Sequence, residues 1–560
     1  MNALLATSVE SFSSFGEQII RQLPWFLPEL VLIGTIVAIL IVPLVVRRSA
    51  RTTLIVALIG IIATLVCTLS VSETVCAEGV SGLAPDTAAG HGMLIADNLT
   101  TFFKLILMVF AAGVSVLWWY GSAAEEKDAP AFFVLLLGSA LGMSLMVSTL
   151  NLLLIIIAIE FASLPSYAIV AFDKRDRLAS EASLKYVIFG AISFAILCYG
   201  ASLLYGLYQT LDLGVIAELV LRDIGAGHNF VMLTVALLGL MLGIGFKVSA
   251  VPFHFWCPDA FQGARIEVTT WLSVVSKAAG LFLLLRVVHA FGVALGSPAL
   301  DPSSTAPLAW VIGIIAMITC TVGNLSAYMQ TSVKRLLAYS SIAHAGYMMM
   351  AATIFVHPGA DGMNEAVAAV LLYVLVYMFM NMGAFGVTAM VVWSTGSDSI
   401  DTFTGLVRRS VWLAVPMLFC LISLVGLPPF GGFIAKYWLL YELANVGQPL
   451  HWILVVVAVL NTLISLFFYL RIVKQMMLRD DDRPAVKAPV VGLALVNICG
   501  IVVLLFGFAI VQPVKDYAYR YAANLFDPSA LRLRAEAPPP IDVVSSLDFA
   551  EPLRGGRMEP

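Results

Sequence analysis

The stretch of sequence that decides the fold is residues 229–262, NFVMLTVALLGLMLGIGFKVSAVPFHFWCPDAFQ. A membrane-spanning helix needs about 20 predominantly apolar residues, so this run is too long for one straight crossing. Pro252 lies within it, and a proline inside a helix removes a backbone hydrogen bond and breaks or kinks the helix. The stretch therefore predicts a broken membrane helix, with Lys247 beside the break.

The whole chain has the composition of a polytopic membrane protein. Of its 560 residues, 60% are hydrophobic and 12% are charged, against about 25% charged in a soluble globular protein. The mean hydropathy is +0.96. This composition excludes a soluble enzyme, and a formal net charge of -4 leaves no basic face for nucleic acid. The N-terminus lacks the basic segment, short apolar core and cleavage site of a signal peptide, so we expect none to be cleaved.

The cysteines do not form a recognisable site. No C-x-x-C pair occurs, and most cysteines lie inside apolar runs. We expect neither a disulfide framework nor a metal or iron–sulfur site from them. The seven are Cys67, Cys76, Cys198, Cys257, Cys320, Cys420 and Cys499.

Apolar windows separated by polar residues and helix breakers predict fourteen membrane spans, and hence an all-α polytopic membrane protein. The seventh and twelfth spans are too long for one crossing and contain prolines, Pro252 in one and Pro428 and Pro429 in the other. Both are therefore predicted to be broken helices. The spans lie near 28–46, 53–71, 100–120, 131–148, 151–171, 181–206, 229–262, 266–290, 307–329, 332–356, 365–394, 403–444, 449–472 and 489–512.

Each broken span is the fourth in a block of five, with spans 4 to 8 at 131–290 and spans 9 to 13 at 307–475. Because five is odd, the second block would be inverted in the membrane, an arrangement common in transporters. The remaining segments are three helices and an extended outside loop in 1–130, a fourteenth helix in 476–512 and a polar, loosely ordered tail at 513–560.

The distribution of lysine and arginine predicts which side of the membrane each loop faces, because cytoplasmic loops carry an excess of these residues. Seventeen basic residues fall in one set of loops, and three, Arg21, Arg222 and Arg286, fall in the opposite set. The first set is therefore expected to be cytoplasmic, and an even number of spans then places both termini outside. The seventeen are Arg47, Arg48, Arg51, Lys127, Lys174, Arg175, Arg177, Arg265, Lys334, Arg335, Arg408, Arg409, Arg471, Lys474, Arg479, Arg483 and Lys487.

Five lysines and one clear acid are predicted to lie within the spans, where each charge is costly and is a functional candidate. Lys104 lies close enough to a span end to snorkel to the interface, so a structural role is favoured for it. Lys185 is balanced between an interfacial and an inward-facing position. Glu160 lies in mid-span and cannot snorkel, so a functional role is favoured. The six residues are Lys104, Lys185, Lys247, Lys277, Lys436 and Glu160.

The central acids are fewer than the central lysines, which are Lys247, Lys277 and Lys436. Structural ion pairs with acids therefore do not account for all three lysines. Burial disfavours the ammonium form, so such lysines can give up a proton and take it back. Histidine extends a relay because either ring nitrogen can carry a proton. His254 in the first break and His344 in the tenth span are candidates, although either could be a hydrogen-bonded core histidine. Polar side chains of the eleventh span that either bridge through water or only pack are Tyr373, Tyr377 and Asn381.

Four motifs, in this order along the chain, resemble the antiporter-like membrane subunits of respiratory complex I. They are IEFASLPSYA at 159–168, EASLKY at 181–186, FKVSAVPFHFW at 246–256 and KRLLAYSSIAH at 334–344. The resemblance extends over about residues 100–475, and the segments around Glu160 and His344 are most similar to the chain N branch of bacterial NADH:quinone oxidoreductases.

The resemblance implies a proton-translocating subunit of the bacterial inner membrane that holds no cofactor of its own. It also implies that the partners are the other membrane and peripheral subunits of the complex, which would hold NADH, FMN, the iron–sulfur clusters and quinone. By the same resemblance, the proton path runs from a coupled pair, Glu160 and Lys247 with Lys185 modulating it, through Lys277 and His344 to Lys436.

The sequence departs from the family pattern in three places. These are an extended loop at 72–98, the long tail, and Arg265-Ile266-Glu267, which stands where the family often has small residues and proline. Two alternative functions share the predicted architecture. One is a subunit of a multisubunit Na+ or K+/H+ antiporter, which has the same core, and the other is a purely structural membrane scaffold.

Overall fold

The computed structural model describes residues 23–45, 49–78, 81–82, 93–121, 128–295, 306–356, 363–481, 483–508 and 511–522, and it is almost entirely helical. The helices of the first half are α1 (Leu27–Val45), α2 (Ala50–Glu78), α3 (Asn98–Gly121), α4 (Ala129–Val147), α5 (Leu152–Val170), α6 (Arg177–Tyr208), α7 (Leu213–Ala226), α8 (Phe230–Val248), α9 (Trp256–Gly263), α10 (Ile266–Trp271) and α11 (Lys277–Leu295). Those of the second half are α12 (Ala306–Tyr328), α13 (Val333–Met350), α14 (Ala352–Phe355), α15 (Met363–Thr395), α16 (Leu406–Arg409), α17 (Val411–Val425), α18 (Gly431–Asn445), α19 (Pro449–Leu478), α20 (Val490–Phe508) and α21 (Val511–Ala522).

Shorter elements complete the described chain. A small antiparallel hairpin, β1 (Ser81–Gly82) and β2 (Ile95–Ala96), precedes α3. The other short elements are 3-10 turns at Leu23–Phe26 and Ile400–Phe403 and a π-helical turn at Leu272–Ser276, which joins α10 to α11.

The predicted all-α membrane fold is confirmed, since every predicted span coincides with a helix. Within the described chain, twelve helices are long and apolar enough to cross a membrane by length and composition. The tenth predicted span is α13 followed by α14. The twelfth is the pair α17 and α18, each of which is too short to cross alone. The broken seventh span is the pair α8 and α9, as predicted from Pro252.

Three sequence-based expectations need correction. The twelfth span begins at Val411 and not near 403, because the segment before it forms a 3-10 turn and the separate short helix α16. The segment between the sixth and seventh spans contains a helix that was not predicted, α7, which is amphipathic and therefore gives no hydropathy signal. The tail was predicted to be loosely ordered, but its first residues belong to helix α21. Residues 523–560 lie outside the described residues.

The two five-span blocks share a distinctive contact, which supports the predicted internal repeat. In the first block, a backbone bridge joins Asn151 to Asp212, the residues that precede α5 and α7. In the second, the same bridge joins Ser332 to Ser399, which precede α13 and the 3-10 turn. All four side chains accept hydrogen bonds from the first backbone N–H groups of the element that follows, as N-cap residues do. Because each block has five crossings, the second runs inverted relative to the first.

The core of the molecule is formed by the eighth and eleventh spans. Every residue in the apolar window of the eighth span is buried, and 89% of the window is buried in the eleventh, whereas α1 and α2 reach 28%. Most exposed side chains on the described parts of α1 and α2 are apolar, as expected of helices that contact lipid. The charged residues of α11 are therefore deep in the bundle, away from lipid.

Candidate functional site

The first break places an ammonium group in the protein interior. Helix α8 ends at Val248, where Ser249 adopts a left-handed conformation with φ +64°, and Lys247 is fully buried beside this end. The Lys247 Nζ donates a hydrogen bond of 2.9 Å to the Ser163 hydroxyl of α5. Trp256, at the start of α9, donates its indole N–H to the Phe246 carbonyl of α8 at 3.1 Å, which connects the two helices across the break.

Glu160 lies on α5 three residues before Ser163, about one helical turn away. Its side chain is partly exposed, and its charge acts on Lys247, with which it interacts electrostatically. Among the described residues, however, the hydrogen bond of Lys247 goes to Ser163 and not to Glu160. Glu160 and Lys247, the predicted pair, therefore interact through their charges, and Ser163 accepts the hydrogen bond of the ammonium.

Lys185 is not part of the buried interior. Its side chain is 42% exposed and forms ion pairs with Glu181 at 2.8 Å and Asp259 at 3.0 Å. Asp259 also accepts a hydrogen bond of 2.7 Å from Arg335. These contacts tie α6, α9 and α13 together at the end of the bundle where the predicted cytoplasmic residues gather. A modulating role for Lys185 stays a prediction.

His254 lies in the first break and is 6% exposed. Its Nδ1 has no hydrogen-bond partner among the described residues, and its ring lies 4.5 Å from that of Phe255. An unpartnered ring nitrogen at a helix break can accept a proton from a neighbouring group. The structure therefore leaves the predicted relay role of His254 open to test.

Lys277 is the first residue of α11, directly after the π-helical turn, and is 1% exposed. Its Nζ donates to the Ser341 hydroxyl at 2.5 Å and to the Cys257 sulfur at 3.3 Å. It also lies 5.4 Å from the centre of the Phe261 ring, within the range of a cation–π contact. The ammonium thus joins α9, α11 and α13, and its hydrogen bonds within the described part of the chain go to neutral groups.

His344 follows Ser341 on α13 by one turn and is 2% exposed. Its Nδ1 lies 2.8 Å from the Tyr373 hydroxyl of α15, and either group can be the donor. The charges of both Lys277 and Lys436 act on the imidazole ring, so His344 interacts electrostatically with each of the two lysines. Tyr373, which the sequence left undecided between bridging and packing, is in direct contact with the predicted path.

Lys436 lies in the second break. Helix α17 ends at Val425, Gly426 adopts φ +88°, and the Lys436 Nζ reaches back from α18 to the carbonyls of Leu424 at 3.1 Å and Val425 at 2.9 Å. These carbonyls lack helical partners because the helix ends there, and the C-terminal end of a helix attracts a cation. The Lys436 ammonium also lies 4.7 Å from the centre of the Tyr347 ring.

Two further buried cations differ from the sequence-based expectation. Lys104 does not snorkel, because it is buried and paired at 2.6 Å with Glu29, which also accepts a hydrogen bond of 2.7 Å from Ser144. Arg286 does not lie in a loop, because it is buried within α11 and paired at 2.6 Å with Asp97. The first pair joins α1 to α3, and its Glu29 also bonds α4, whereas the second pair joins the segment before α3 to α11. In each pair the charge is balanced by an acid.

The arrangement has two kinds of buried cation. Those at the N-terminal side are neutralised by carboxylates, whereas Lys247, Lys277 and Lys436 are held by neutral hydroxyl, thiol or carbonyl groups. Burial disfavours the charged form, and only a carboxylate within a few ångströms offsets it strongly. The second set are therefore the candidates for proton exchange. Ser163 and Ser341 were missed as ligands, although both lie inside the motifs that carried the resemblance. No group of three or more His, Cys, Asp or Glu residues within the described ranges is placed to hold a metal.

A family model and two relatives of this chain all point to the membrane subunits of NADH:quinone oxidoreductase. Residues 149–465 match the family described as NADH:quinone oxidoreductase/Mrp antiporter, TM. The NADH-quinone oxidoreductase subunit N of an Anaeromyxobacter species is 37% identical over 89% of this chain and 96% of its own length. Subunit N 2 of Sorangium cellulosum is 38% identical over 84% of this chain and 92% of its own length.

Solved structures show the same architecture. A chain of respiratory complex I from Thermus thermophilus, solved with bound aureothin, has a TM-score of 0.70 and 29% identity, covering 88% of this chain and 99% of that one. A chain of the Mrp complex from a Dietzia species has a TM-score of 0.76 over 91% of this chain and 99% of that one. At 18% identity this second likeness concerns the fold alone.

Proposed function

Since this chain belongs to the NADH:quinone oxidoreductase/Mrp antiporter family of transmembrane subunits, and its curated relatives are subunits N, we propose that it translocates protons as a membrane subunit of an NADH:quinone oxidoreductase. The oxidation of NADH and reduction of quinone, with FMN and iron–sulfur clusters, then take place in partner subunits. This chain supplies the proton path in the bacterial inner membrane, with both of its termini outside.

The observation that carries this proposal is the series of three buried lysines held by neutral groups. Lys247 binds a serine, Lys277 binds a serine and a cysteine, and Lys436 binds two carbonyls. A purely structural ammonium in a bilayer is expected to be paired with an acid, as Lys104 is. The three neutral sites are instead suited to holding a proton temporarily.

Glu160 sets the charge state of the first lysine. While it is ionised, its attraction favours the ammonium form of Lys247. Because Glu160 is partly exposed, a charge that appears on a neighbouring subunit can weaken this attraction. Lys247 then releases one proton and becomes a neutral amine, with Ser163 still beside it.

The released proton passes through intervening water to the centre of the bundle, where the Lys277 amine becomes an ammonium. Ser341, His344 and Tyr373 lie next on α13 and α15, and each can receive one proton and give one up. At the end of the series the Lys436 ammonium is stabilised by the free carbonyls of α17. In each transfer from one lysine or histidine to the next, the donor becomes neutral and the acceptor gains one positive charge, so a single charge moves along the series.

The proposal is tested by replacing Lys247 with alanine in the assembled complex, reconstituted into vesicles. Electron transfer from NADH to quinone and acidification of the vesicle interior are measured in parallel. We expect Lys247→Ala to lower the number of protons moved per electron pair while the complex still assembles. Lys474→Ala, which removes an exposed lysine at the end of α19, is the matched control and is expected to leave the ratio unchanged.

Two outcomes would reject the proposal. Unchanged pumping in both Lys247→Ala and Glu160→Gln would favour a structural scaffold. Exchange of Na+ or K+ for protons without any redox substrate would favour the antiporter alternative. The subunits that purify with this chain in mild detergent separate the same two possibilities independently.

A further inference from the structure

A surface cleft of about 370 Å³ lies at the basic end of the bundle, outside the lysine series. It is lined by residues from the ends of α3, α9, α10, α13 and α15, and Glu267 is among them. The Glu267 side chain is 2% exposed, and its Oε2 has no hydrogen-bond partner among the described residues. A buried carboxylate oxygen without a partner is costly, so it calls for a functional explanation.

The carboxyl group occupies a narrow slot between helices. A Cβ atom on Gly121 would lie 2.0 Å from the Glu267 Oε1 and 2.5 Å from the Trp393 ring, so the slot exists because residue 121 is glycine. Two cations, Arg265 and Lys334, line the same cleft and act on the carboxylate. Burial opposes the charged carboxylate, and the two cations favour it.

Hydroxyl-bearing residues lie between this carboxyl group and the lysine series. Thr270 and Ser273 follow Glu267 at three-residue intervals along α10 and the π-helical turn, and both are fully buried. Their hydroxyls donate to the backbone carbonyls of Ile266 and Thr270, each at 2.7 Å. Lys277 begins α11 directly after that turn. Tyr377 of α15 donates to the Ser273 carbonyl at 3.4 Å, which adds another hydroxyl group beside them. The eighth span thus carries polar residues between the cleft and the central lysine.

We propose that Glu267 exchanges protons between the cleft and Lys277. The carboxylate takes one proton from water in the cleft and becomes a carboxylic acid. It then passes one proton along the hydroxyl groups and intervening water to the Lys277 amine, which becomes an ammonium, and the carboxylate is restored. This role rests on the proposed proton translocation and adds a residue to it.

The test uses two pairs of variants that match in shape and differ in acidity. Glu267→Gln is compared with the wild-type protein, and Glu267→Asn with Glu267→Asp, in the assembled complex reconstituted into vesicles. Loss of a group that transfers protons slows its step by about 100-fold or more. We therefore expect both amides to lower the number of protons moved per electron pair. Glu267→Asp is expected to retain more pumping than Glu267→Asn.

Two controls separate the possible failures. Glu218→Gln changes a partly exposed carboxylate outside the cleft, one that is paired with Arg222 at 3.9 Å, and it is expected to leave the ratio unchanged. Lys277→Ala tests the lysine series itself. If Lys277→Ala abolishes pumping while both amides at 267 pump normally, the role of Glu267 is wrong and the proposed function stands. If Lys277→Ala also pumps normally, the proposed function fails as well.

Equal loss in Glu267→Asp and Glu267→Asn would likewise overturn the proposal, because the effect would then follow side-chain length and not acidity. If Glu267→Gln fails to assemble, the Asp and Asn pair still decides the question, since both shorten the side chain by the same amount.

Discussion

The ion pair between Glu29 and Lys104 makes a quantitative prediction about stability. Both side chains are buried, with relative exposures of 6% and 7%, and their charged atoms are 2.6 Å apart. Removing one partner of a buried pair leaves an uncompensated charge and typically costs about 3–5 kcal/mol. The Glu29 Oε2 has no hydrogen-bond partner among the described residues, so the native pair is incompletely satisfied. We therefore expect Lys104→Met to cost about 3 kcal/mol, at the lower end of that range.

The double variant is the decisive comparison. An apolar pair of similar volume in place of a buried ion pair is often neutral or stabilising. Glu29→Met together with Lys104→Met should therefore be more stable than either single variant. Glu218 and Arg222, which form an exposed pair at 3.9 Å, provide the control. Arg222→Met is expected to cost less than about 1 kcal/mol.

Opening of the folded chain can be followed through its buried cysteines. Cys420 and Cys499 are buried, so they react with a thiol reagent only when the structure opens. A loss of about 3 kcal/mol raises the open population by about 100-fold, because each 1.4 kcal/mol is a factor of ten. Mass spectrometry of the labelled peptides assigns the reaction to this chain within the assembled complex. A double variant that labels as fast as the two single effects combined would refute the reasoning, since the partners would then contribute independently.

Three further predictions concern other contacts. Ser341→Ala removes the 2.5 Å hydrogen bond to the lysine that begins α11, so proton pumping in vesicles should fall while electron transfer persists. Arg286→Met leaves the buried carboxylate of Asp97 unpaired and should cost about 3 kcal/mol or more in the same labelling assay. Desolvation acts to raise the pKa of Asp481, but the backbone N–H and guanidinium of Arg483 lower it below the ordinary value of 3.8. Its stabilising charge is therefore present above pH 3.8 and is lost as the pH falls further, so Asp481→Asn should speed limited proteolysis of this loop at neutral pH and match the wild-type protein well below pH 3.8.

The positions of the membrane helices could be predicted because the bilayer dictates them. A crossing helix must supply about 20 apolar residues and satisfy its own backbone, so hydropathy and proline are strong signals. The same reasoning missed α7, whose polar and apolar faces alternate around the helix and cancel in a hydropathy window. It also joined α16 to the twelfth span, because Leu406 and Val407 lie close to the apolar run that begins at Val411, although Ser410 between the two helices is extended and not helical.

The ligands of the central lysines could not be predicted, because they depend on how distant segments pack. Ser163 precedes Lys247 by 84 positions, and Ser341 follows Lys277 by 64. A single sequence shows that a lysine is buried and gives no measure of its distance from a serine on another helix. The prediction therefore named Glu160 and Lys247 as a coupled pair, and it did not identify Ser163, which accepts the hydrogen bond of the Lys247 ammonium.

The chemical nature of the partner separates the buried cations better than their depth does. Lys104, Lys277 and Arg286 are all less than a tenth exposed, yet two of them bind carboxylates and one binds only a hydroxyl and a thiol. A carboxylate stabilises the charged form of the cation that it binds and holds the two helices together. Neutral ligands stabilise the charged form less, so the cation can release its proton more easily. Burial within the membrane makes a charged side chain costly and marks it as a candidate. The chemical nature of its partner then distinguishes a structural role from a functional one.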